Sequence, residues 1–262
     1  MQLFRNDSQS LVRAFQYIRN RGGVAEVGPL MRKALNLRGR PPKKINEIAR
    51  EVFSVNQDFY SPQEGMWAYK FPSVFDYALE KEHLVAVDIE ATGGKPPTEK
   101  MVEIGAVKIR KGKEVEEFSF LINPEKRLQP FVAKMTGLSD ELLSKAHSIE
   151  WVMERFLKFI DKEVLIMHDP FPDMSFIDDA SIRCFGGVLI NPIIDTLTIA
   201  KRKLGLHAGL SLSRIVERLE IIQDDHHRAL ADARSTALAY FLLRELDDVV
   251  EEEPKEEPKE EE

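Results

Sequence analysis

Two carboxylates, Asp88 and Glu90, stand at the end of an apolar stretch that begins at Leu84. In an extended strand, residues two apart point to the same face of a sheet, so these side chains are expected to meet at one point. Two negative charges beside core residues are costly unless a positive charge compensates, and a hard divalent cation with oxygen ligands is the usual partner. Taken alone, the pair is equally typical of an edge strand with a polar face.

Three further residues could complete such a site. Asp173 follows a short apolar stretch, 164–167, which predicts a position at the carboxyl edge of the sheet, although an acid there is also an ordinary helix cap. Asp232 lies in the first turns of a long amphipathic helix, and His227 comes five residues earlier. Five helical residues would turn the two side chains about 140° apart. His227 is therefore expected on the loop before the helix, from which it can reach the same site; singly, such a histidine and acid are common surface residues.

The elements that must position these residues follow from hydrophobic spacing. Strand patterns at 84–90, 101–109 and 117–122 predict three consecutive antiparallel strands. Helical spacing follows over 149–160, then the short strand at 164–167, then further helices. Strands with helical crossovers predict an α/β sheet.

Residues 1–72 have a different pattern. Apolar residues recur at helical spacing near 11–18, 30–35 and 45–52, and stretches at 58–61 and 66–71 read as two aromatic-rich strands of a hairpin. Three helices and a hairpin resemble a winged helix, whose third helix would expose Lys43, Lys44 and Arg50 to a nucleic-acid groove. A small domain that docks protein or packs on its neighbour remains equally consistent. Residues 73–83 are expected to be a linker, and 84–246 a second domain.

The net charge of −7 is distributed unevenly. Residues 247–262 hold ten acidic residues against Lys255 and Lys259, a low-complexity acidic tail that we expect to be disordered. Residues 1–60 instead carry eleven Lys or Arg against five acidic residues, an excess suited to phosphates. The single cysteine, Cys184, excludes an internal disulfide, and no signal peptide or membrane span is evident, so we expect a cytoplasmic protein without a membrane partner.

The order Asp-x-Glu, Asp, His-x4-Asp resembles the proofreading 3′-5′ exonucleases of the DEDDh class, typified by the epsilon subunit of bacterial DNA polymerase III. The resemblance runs from about Leu84 to Leu246 and includes the segments VDIEATGG, EIGAV, LINP, MTGLSDELL and IDTL. It implies an RNase H-like mixed sheet flanked by helices, beside the small N-terminal winged-helix-like α+β domain and the acidic tail.

The resemblance also implies roles for individual residues. Two divalent cations, Mg²⁺ or Mn²⁺, would be held by the catalytic carboxylates Asp88, Glu90, Asp173 and Asp232. His227 would act as general base, which suits a side chain that titrates near neutral pH.

Substrate contacts are implied in three places. The loop after the first strand would contact the terminal nucleotide, through Ala91, Thr92 and Gly93. Glu103 would lie near the sugar or base of that nucleotide. Phe171 would offer a stacking surface, with core packing as an equally good explanation of this aromatic side chain.

Three departures from the family pattern concern the grip on the substrate. Asp169 stands where asparagine commonly follows the histidine of the middle motif, and so adds negative charge near the metals. Pro172 replaces an aromatic residue, and Ala91 replaces a hydroxyl residue. Two other polar residues are predicted to be structural: His168 as a strand-end hydrogen-bonding residue, and Asp195 as a helix cap.

These observations predict a metal-dependent 3′-5′ exonuclease acting on single-stranded DNA 3′ ends in proofreading or repair. Its partner would be nucleic acid, with a DNA polymerase or clamp as a candidate protein partner. Two alternatives stay open: an exonuclease that trims RNA 3′ ends, and a catalytically weak DNA-binding adaptor that uses the nuclease fold as a scaffold.

Overall fold

The chain folds into an N-terminal region and a larger C-terminal region built on a five-stranded sheet. The computed structural model describes residues 3–6, 8–39, 43–205, 210–222 and 228–248, with every side chain among them except that of Tyr77. Both regions contribute to the surroundings of the predicted site. The helix that carries Asp173, in the C-terminal region, also contacts the N-terminal region.

The N-terminal region combines short strands with three helices. In chain order these elements are β1 (Leu3–Phe4), α1 (Gln9–Arg19), β2 (Val24–Glu26), α2 (Val27–Ala34), α3 (Ile45–Phe53), β3 (Phe59–Tyr60) and β4 (Met66–Tyr69). The strands β2, β4 and β3 form an antiparallel sheet in that order. The three helices and the hairpin of β3 and β4 lie where they were predicted, while β1 and β2 were not predicted. The winged-helix assignment itself stays a prediction.

An aromatic core explains why this region folds. Leu11, Phe15 and Ile18 recur at helical spacing and are all buried on one face of α1. The ring of Phe53 in α3 stacks on that of Phe59 in β3, with centroids 5.0 Å apart. Aromatic side chains supply much buried area for few residues, which suits a small region.

The segment between the two regions is not an extended linker. Residues 73–83, expected to be a linker, contain α4 (Val74–Glu80), and Phe75 and Ala78 on this helix are buried in a core shared with both regions. Their spacing of three residues places both side chains on one face of the helix, which explains why the segment is packed rather than extended.

The C-terminal region alternates strands and helices after an initial antiparallel meander. Its elements are β5 (Leu84–Ala91), β6 (Met101–Arg110), β7 (Lys113–Leu121), α5 (Pro130–Thr136), α6 (Asp140–Ser144), α7 (Ile149–Ile160), β8 (Val164–Met167), α8 (Pro170–Phe185), β9 (Val188–Leu189), β10 (Ile193–Asp195), α9 (Thr196–Leu204), α10 (Leu212–Arg218) and α11 (Ala229–Glu245).

The large sheet has the order β10–β8–β5–β6–β7. The pairs β5–β6 and β6–β7 are antiparallel, whereas β8 lies parallel to both β5 and β10. Buried residues of α7 and α8 pack against the sheet, and α11 packs against β5 and β6. The mixed sheet flanked by helices confirms the predicted RNase H-like architecture.

A strand pair and a buried ion pair are among the contacts that attach the regions to each other. β1 pairs antiparallel with β9. Arg19 in α1 is fully buried and donates to both carboxylate oxygens of Asp178 in α8, at 2.6 and 3.0 Å, and also to the backbone oxygen of Leu189 at 2.5 Å. Gln16 adds a hydrogen bond to Asp178 at 2.9 Å. A buried charge pair is tolerated when its hydrogen bonds are satisfied, as they are in this pair.

Of the predicted acidic tail, only Asp247 and Asp248 fall within the described residues. Asp248 pairs with Lys203 at 2.8 Å and with Arg202 at 3.3 Å. None of the helices in the described ranges is long and apolar enough to cross a membrane.

Candidate active site

The first two candidate ligands lie on the central strand of the sheet. β5 pairs with β6 along its whole length and with β8 over residues 84–86, so its start is held from both sides. Asp88 and Glu90 share one face of this strand, as predicted. Asp88 is half-buried and Glu90 is 8% exposed, with a register shift between Glu90 and Ala91. The central strand of the sheet therefore presents two carboxylates at its end, where β6 is its partner.

Helix α11 brings a third carboxylate to the pair. One oxygen each from Asp88, Glu90 and Asp232 lie within 4.8 Å of one another. Asp232 comes from the first turn of α11, far along the chain from β5. Oxygen atoms this close together can act as ligands of one hard cation, so the sequence prediction that these three residues converge is supported by the geometry.

The fourth candidate, Asp173, lies in the first turn of α8. Its charge interacts with the others: burial raises the pKa of Asp173 well above its usual range, and Glu90, Asp169 and Asp232 raise it further. Asp173 is not one of the three residues whose ligand atoms meet within 4.8 Å, but it lies close enough to repel their charges. All four predicted carboxylates thus face a common region.

The carboxylates of the cluster repel one another, and burial further disfavours their ionised forms. Burial raises the pKa of Asp88 well above its usual range, and Asp173, Asp232, Glu90 and Glu103 add to the effect. Burial also raises the pKa of Glu90, from 4.5 to about 7, with Asp232 and Glu103 contributing and Arg228 opposing. Cations among these oxygens would remove the repulsion and keep the carboxylates ionised, so the residues present fit a divalent metal site.

Gly105 in β6 allows the start of α11 to pack closely against the sheet. A Cβ atom added at Gly105 would lie 2.2 Å from the backbone nitrogen of Leu230 and 2.3 Å from the backbone carbon of Ala229. Such contacts are closer than atoms can approach, so only glycine lets α11 pack this closely against the strand. Because Asp232 is in the same first turn, Gly105 sets the distance of Asp232 from β5.

Glu103 binds the same end of α11. Its side chain is 2% exposed, and Arg228 donates to its two oxygens at 2.9 and 3.1 Å. The backbone nitrogen of Ala229 also donates to Glu103, at 3.5 Å. The structure therefore gives Glu103 a role in fixing the start of α11, whereas its predicted contact with a nucleotide stays a prediction that this ion pair does not favour.

Neither Gly105 nor Arg228 was assigned a role from the sequence. A usable signal was present, because an isolated glycine in an otherwise apolar strand indicates a close backbone approach. Arg228 gave no local signal, since the partner of an arginine depends on the tertiary fold.

The loop that follows β5 is closed by Thr92. The buried hydroxyl of Thr92 donates to Glu99 and accepts from the backbone nitrogen of Lys100 at 2.9 Å. A Cβ atom added at Gly93 would lie 2.8 Å from the side chain of Glu99. Of the three loop residues predicted to contact a nucleotide, Thr92 is thus used inside the loop, while Ala91 and Gly93 are half-buried and stay candidates.

Two of the departures from the family pattern, Asp169 and Pro172, lie at the start of α8. Asp169 is exposed, has a positive φ of 48°, and raises the pKa of Asp173, so the added negative charge acts on the cluster as expected. Pro172 is exposed and Phe171 is half-buried. Phe171 contacts the ring of Tyr17 in α1, with centroids 5.7 Å apart, instead of being wholly in the core.

Two polar residues beside the cluster are structural, as predicted. The ring of His168 is hydrogen-bonded to the hydroxyl of Thr196 at 3.0 Å and to the backbone oxygen of Leu210 at 2.9 Å, and burial lowers its pKa. Asp195 caps α9 by accepting from the backbone nitrogen of Leu197 at 2.9 Å. Both predictions are confirmed. His227, predicted as general base, lies outside the described residues; Arg228, held by Glu103, is its neighbour in the chain.

Comparison with known proteins identifies a family and several relatives of this chain. Residues 85–240 match the family model described as Exonuclease (RNase_T). The PolC-type DNA polymerase III of Thermotoga petrophila is 35% identical over 172 residues, which are 66% of this chain and 12% of that protein. The corresponding protein of Thermotoga maritima is 36% identical over 162 residues, 62% of this chain and again 12% of the relative. This chain therefore spans a small part of the length of these relatives.

Solved structures share the fold at low sequence identity. E. coli exonuclease I in complex with a dT13 oligonucleotide has a TM-score of 0.55 and 16% identity, over 62% of this chain and 41% of that one. Exonuclease X in complex with 5′ overhanging duplex DNA has a TM-score of 0.51 and 21% identity, over 61% of this chain and 90% of that one. Because the family model spans more than half of its length, this chain belongs to the exonuclease (RNase_T) family, and residues 85–240 form its exonuclease domain.

Proposed function

We propose that this protein is a metal-dependent 3′-5′ exonuclease that removes nucleotides from single-stranded DNA 3′ ends. The observation that carries the proposal is the convergence of Asp88, Glu90 and Asp232, with oxygens within 4.8 Å, beside Asp173 in the exonuclease domain. Such a density of buried acid opposes folding unless it serves to bind cations.

Asp88, Glu90, Asp173 and Asp232 would hold two divalent cations, Mg²⁺ or Mn²⁺, in agreement with their charge and oxygen ligands. When bound, the cations would activate the attacking water and stabilise charge on the phosphate. The chain's own contribution is to hold the four carboxylates together from β5, α8 and α11. Gly105 and Glu103 keep the start of α11 in position for this purpose.

His227 is the proposed general base, on the strength of the family resemblance. Arg228, the next residue in the chain, is bound to Glu103, whose charge acts on Asp88 and Glu90. A histidine near its ordinary pKa can accept a proton from water at neutral pH.

The biological setting is also a proposal. Matched relatives are DNA polymerases of the PolC type, and similar folds have been solved with DNA bound. Proofreading or repair in the cytoplasm, beside a DNA polymerase, is the setting that these relatives favour.

The test uses full-length protein and oligonucleotides labelled at the 5′ end. We expect a ladder of products shortened from the 3′ end in Mg²⁺ or Mn²⁺, and loss of the ladder with chelator or with Asp88→Asn. Glu116→Gln, which removes an exposed carboxylate on β7, is the control and should keep full activity. DNA and RNA of the same sequence are compared in parallel.

Two outcomes would contradict the proposal. Equal activity of Asp88→Asn and the unchanged protein would assign the degradation to a contaminant, and no degradation of any substrate would favour the DNA-binding adaptor. Thermal melting separates the cases further, because divalent cations should raise the melting temperature of a protein with a working site and leave that of a metal-free scaffold unchanged. Faster degradation of RNA would change the substrate to RNA.

A further inference from the structure

A cleft of about 300 Å³ lies between the N-terminal region and α8, outside the carboxylate cluster. Residues from both regions line it, among them Tyr17 in α1, Lys33 in α2, Pro96 in the loop after β5 and Phe171 in α8. This volume is at the lower end of the roughly 300–1,000 Å³ of small-molecule sites. The cleft could therefore accept one nucleotide of a longer strand.

Aromatic rings from the two regions meet in this cleft. The ring of Tyr17 lies 5.7 Å from that of Phe171, with the planes tilted by 56°. The guanidinium carbon of Arg21 lies 5.5 Å from the Tyr17 centroid and 5.1 Å from the Phe171 centroid. Both rings are half-buried, so part of each remains accessible. Aromatic faces beside an arginine are the usual means of binding single-stranded nucleic acid without sequence preference.

The charges around the cleft favour an anionic occupant. The two acids that line it already have partners: Asp178 is bound by Arg19, and Asp179 pairs with Arg183 at 2.9 Å. Arg21 and Lys33 are exposed, and neither forms an ion pair with a carboxylate in the described part of the chain. Two cations thus remain for phosphate groups.

Two chain segments, the start of α8 and the loop after β5, connect the cleft with the proposed active site. Phe171 and Asp173 both belong to the first turn of α8. Residues two apart on a helix point about 200° apart, so the cleft and the carboxylate cluster lie on different sides of this helix end. Pro96 belongs to the loop that leaves β5 just after Glu90 and is closed by Thr92 and Glu99. A strand leaving the cluster would reach the cleft by passing the start of α8.

We propose that this cleft is a subsite for an upstream nucleotide of the single-stranded DNA substrate, which rests on the function proposed above. Tyr17 and Phe171 stack against a base, and Arg21 and Lys33 contact the phosphates on either side. The N-terminal region thereby contributes directly to substrate binding through α1 and α2, a role distinct from groove binding by α3.

The experiment uses full-length protein and measures kcat and KM for two oligothymidylate substrates, one of two nucleotides and one of twelve. Arg21→Ala and Tyr17→Leu should each raise KM for the twelve-nucleotide substrate about 5- to 150-fold, the range for losing a stacked base. They should leave kcat for both substrates and KM for the dinucleotide unchanged, because two nucleotides do not span the cluster and the cleft. Lys33→Ala should reduce the slope of log KM against log salt by about 0.7, the loss of one phosphate contact.

Arg38→Ala is the matched control, since Arg38 is an exposed arginine of the same region that does not line the cleft. Equal rises in KM for Arg38→Ala and Arg21→Ala would overturn the subsite and indicate general attraction by positive charge. An unchanged KM in Arg21→Ala and Lys33→Ala, with unchanged melting temperature, would also overturn it and leave the Tyr17–Phe171 contact as packing between regions. If Tyr17→Leu does not fold, the two cation variants still decide the result. Failure of the unchanged protein to degrade either substrate would instead refute the proposed exonuclease function.

Discussion

Two of the carboxylates on helix α8 lie in opposite surroundings. Asp173 in its first turn faces other carboxylates, and both burial and their charges raise its pKa. Asp178, five residues later, is 2% exposed but receives hydrogen bonds from Arg19, Gln16 and the backbone nitrogen of Leu189. The same residue type therefore serves a cation site at one position and attaches two regions at the other. The difference lies in the partners that the fold supplies, since the helix is common to both.

The largest expected effect comes from exchanging each acid for its amide. Asp173→Asn should lower kcat roughly 10⁴-fold, about 5.4 kcal/mol in activation free energy. It should leave the melting temperature in chelator unchanged or higher, because a like charge is removed from the cluster. Asp178→Asn should show the reverse, with a lower melting temperature and kcat within tenfold of normal. Oligonucleotide degradation and thermal melting measure both; the same pattern in the two variants would contradict the comparison.

Removing the partner of Asp178 should cost stability. Arg19→Met leaves Asp178 buried without its cation, and we expect the free energy of unfolding to fall by about 3–5 kcal/mol in urea denaturation. Arg183→Met is the control on the same helix: it breaks an ion pair with Asp179 near the surface and should cost about 1 kcal/mol or less. Similar losses of unfolding free energy in the two variants would show that the buried ion pair stabilises the protein no more than the pair near the surface.

The cluster should make stability depend on pH in the absence of metal. The pKa of Glu90 in the folded protein is raised from 4.5 to about 7, so its contribution to stability is complete below pH 4.5 and is lost as the pH rises through 7. We expect the free energy of unfolding in chelator to fall by roughly 3 kcal/mol over this range. Urea denaturation at several pH values measures it.

Glu90→Gln provides the control for this pH dependence. Its profile in chelator should be flatter than that of the unchanged protein, and added Mg²⁺ should flatten the profile of the unchanged protein too. Parallel profiles with and without the substitution would mean that repulsion within the cluster is not the cause.

A smaller loss of kcat is expected from a substitution that moves one carboxylate of the cluster than from one that neutralises it. Gly105→Ala forces the start of α11 away from β6 and moves Asp232, and misplacement by about 1 Å can cost up to 10²-fold in rate. We expect kcat to fall about 10- to 100-fold while KM for DNA changes little. Ala106→Gly, at the next position of β6, is the matched control and should keep kcat within threefold. An unaffected kcat in Gly105→Ala would show that α11 tolerates the displacement.

Local patterns predicted much of this structure. The helix at 149–160 and the strand at 164–167 have the bounds that hydrophobic spacing indicated, because periodicity reports on one element at a time. Asp88 and Glu90 were predictable for the same reason, since alternation along a strand places them on one face.

Contacts between distant segments were not predictable from such patterns. The pairing of β1 with β9 and the Arg19–Asp178 ion pair join residues far apart in sequence, and nothing near Arg19 indicates which acid it meets. Glu103 illustrates the same limit at the site, because its motif indicated a functional position and the fold decided its partner. Composition and spacing constrain elements, whereas the partners of charged side chains depend on tertiary packing.

The attachment of α11 to β5 and β6 has a consequence for when the protein becomes active. A chain leaves the ribosome from its N-terminus, so Asp88 and Glu90 emerge long before Asp232. Until α11 has been made and packed beside Gly105, the nascent chain holds an incomplete set of carboxylates. A chain that ends before α11 would therefore contain Asp88, Glu90 and Asp173 without the carboxylate of Asp232, and should be inactive.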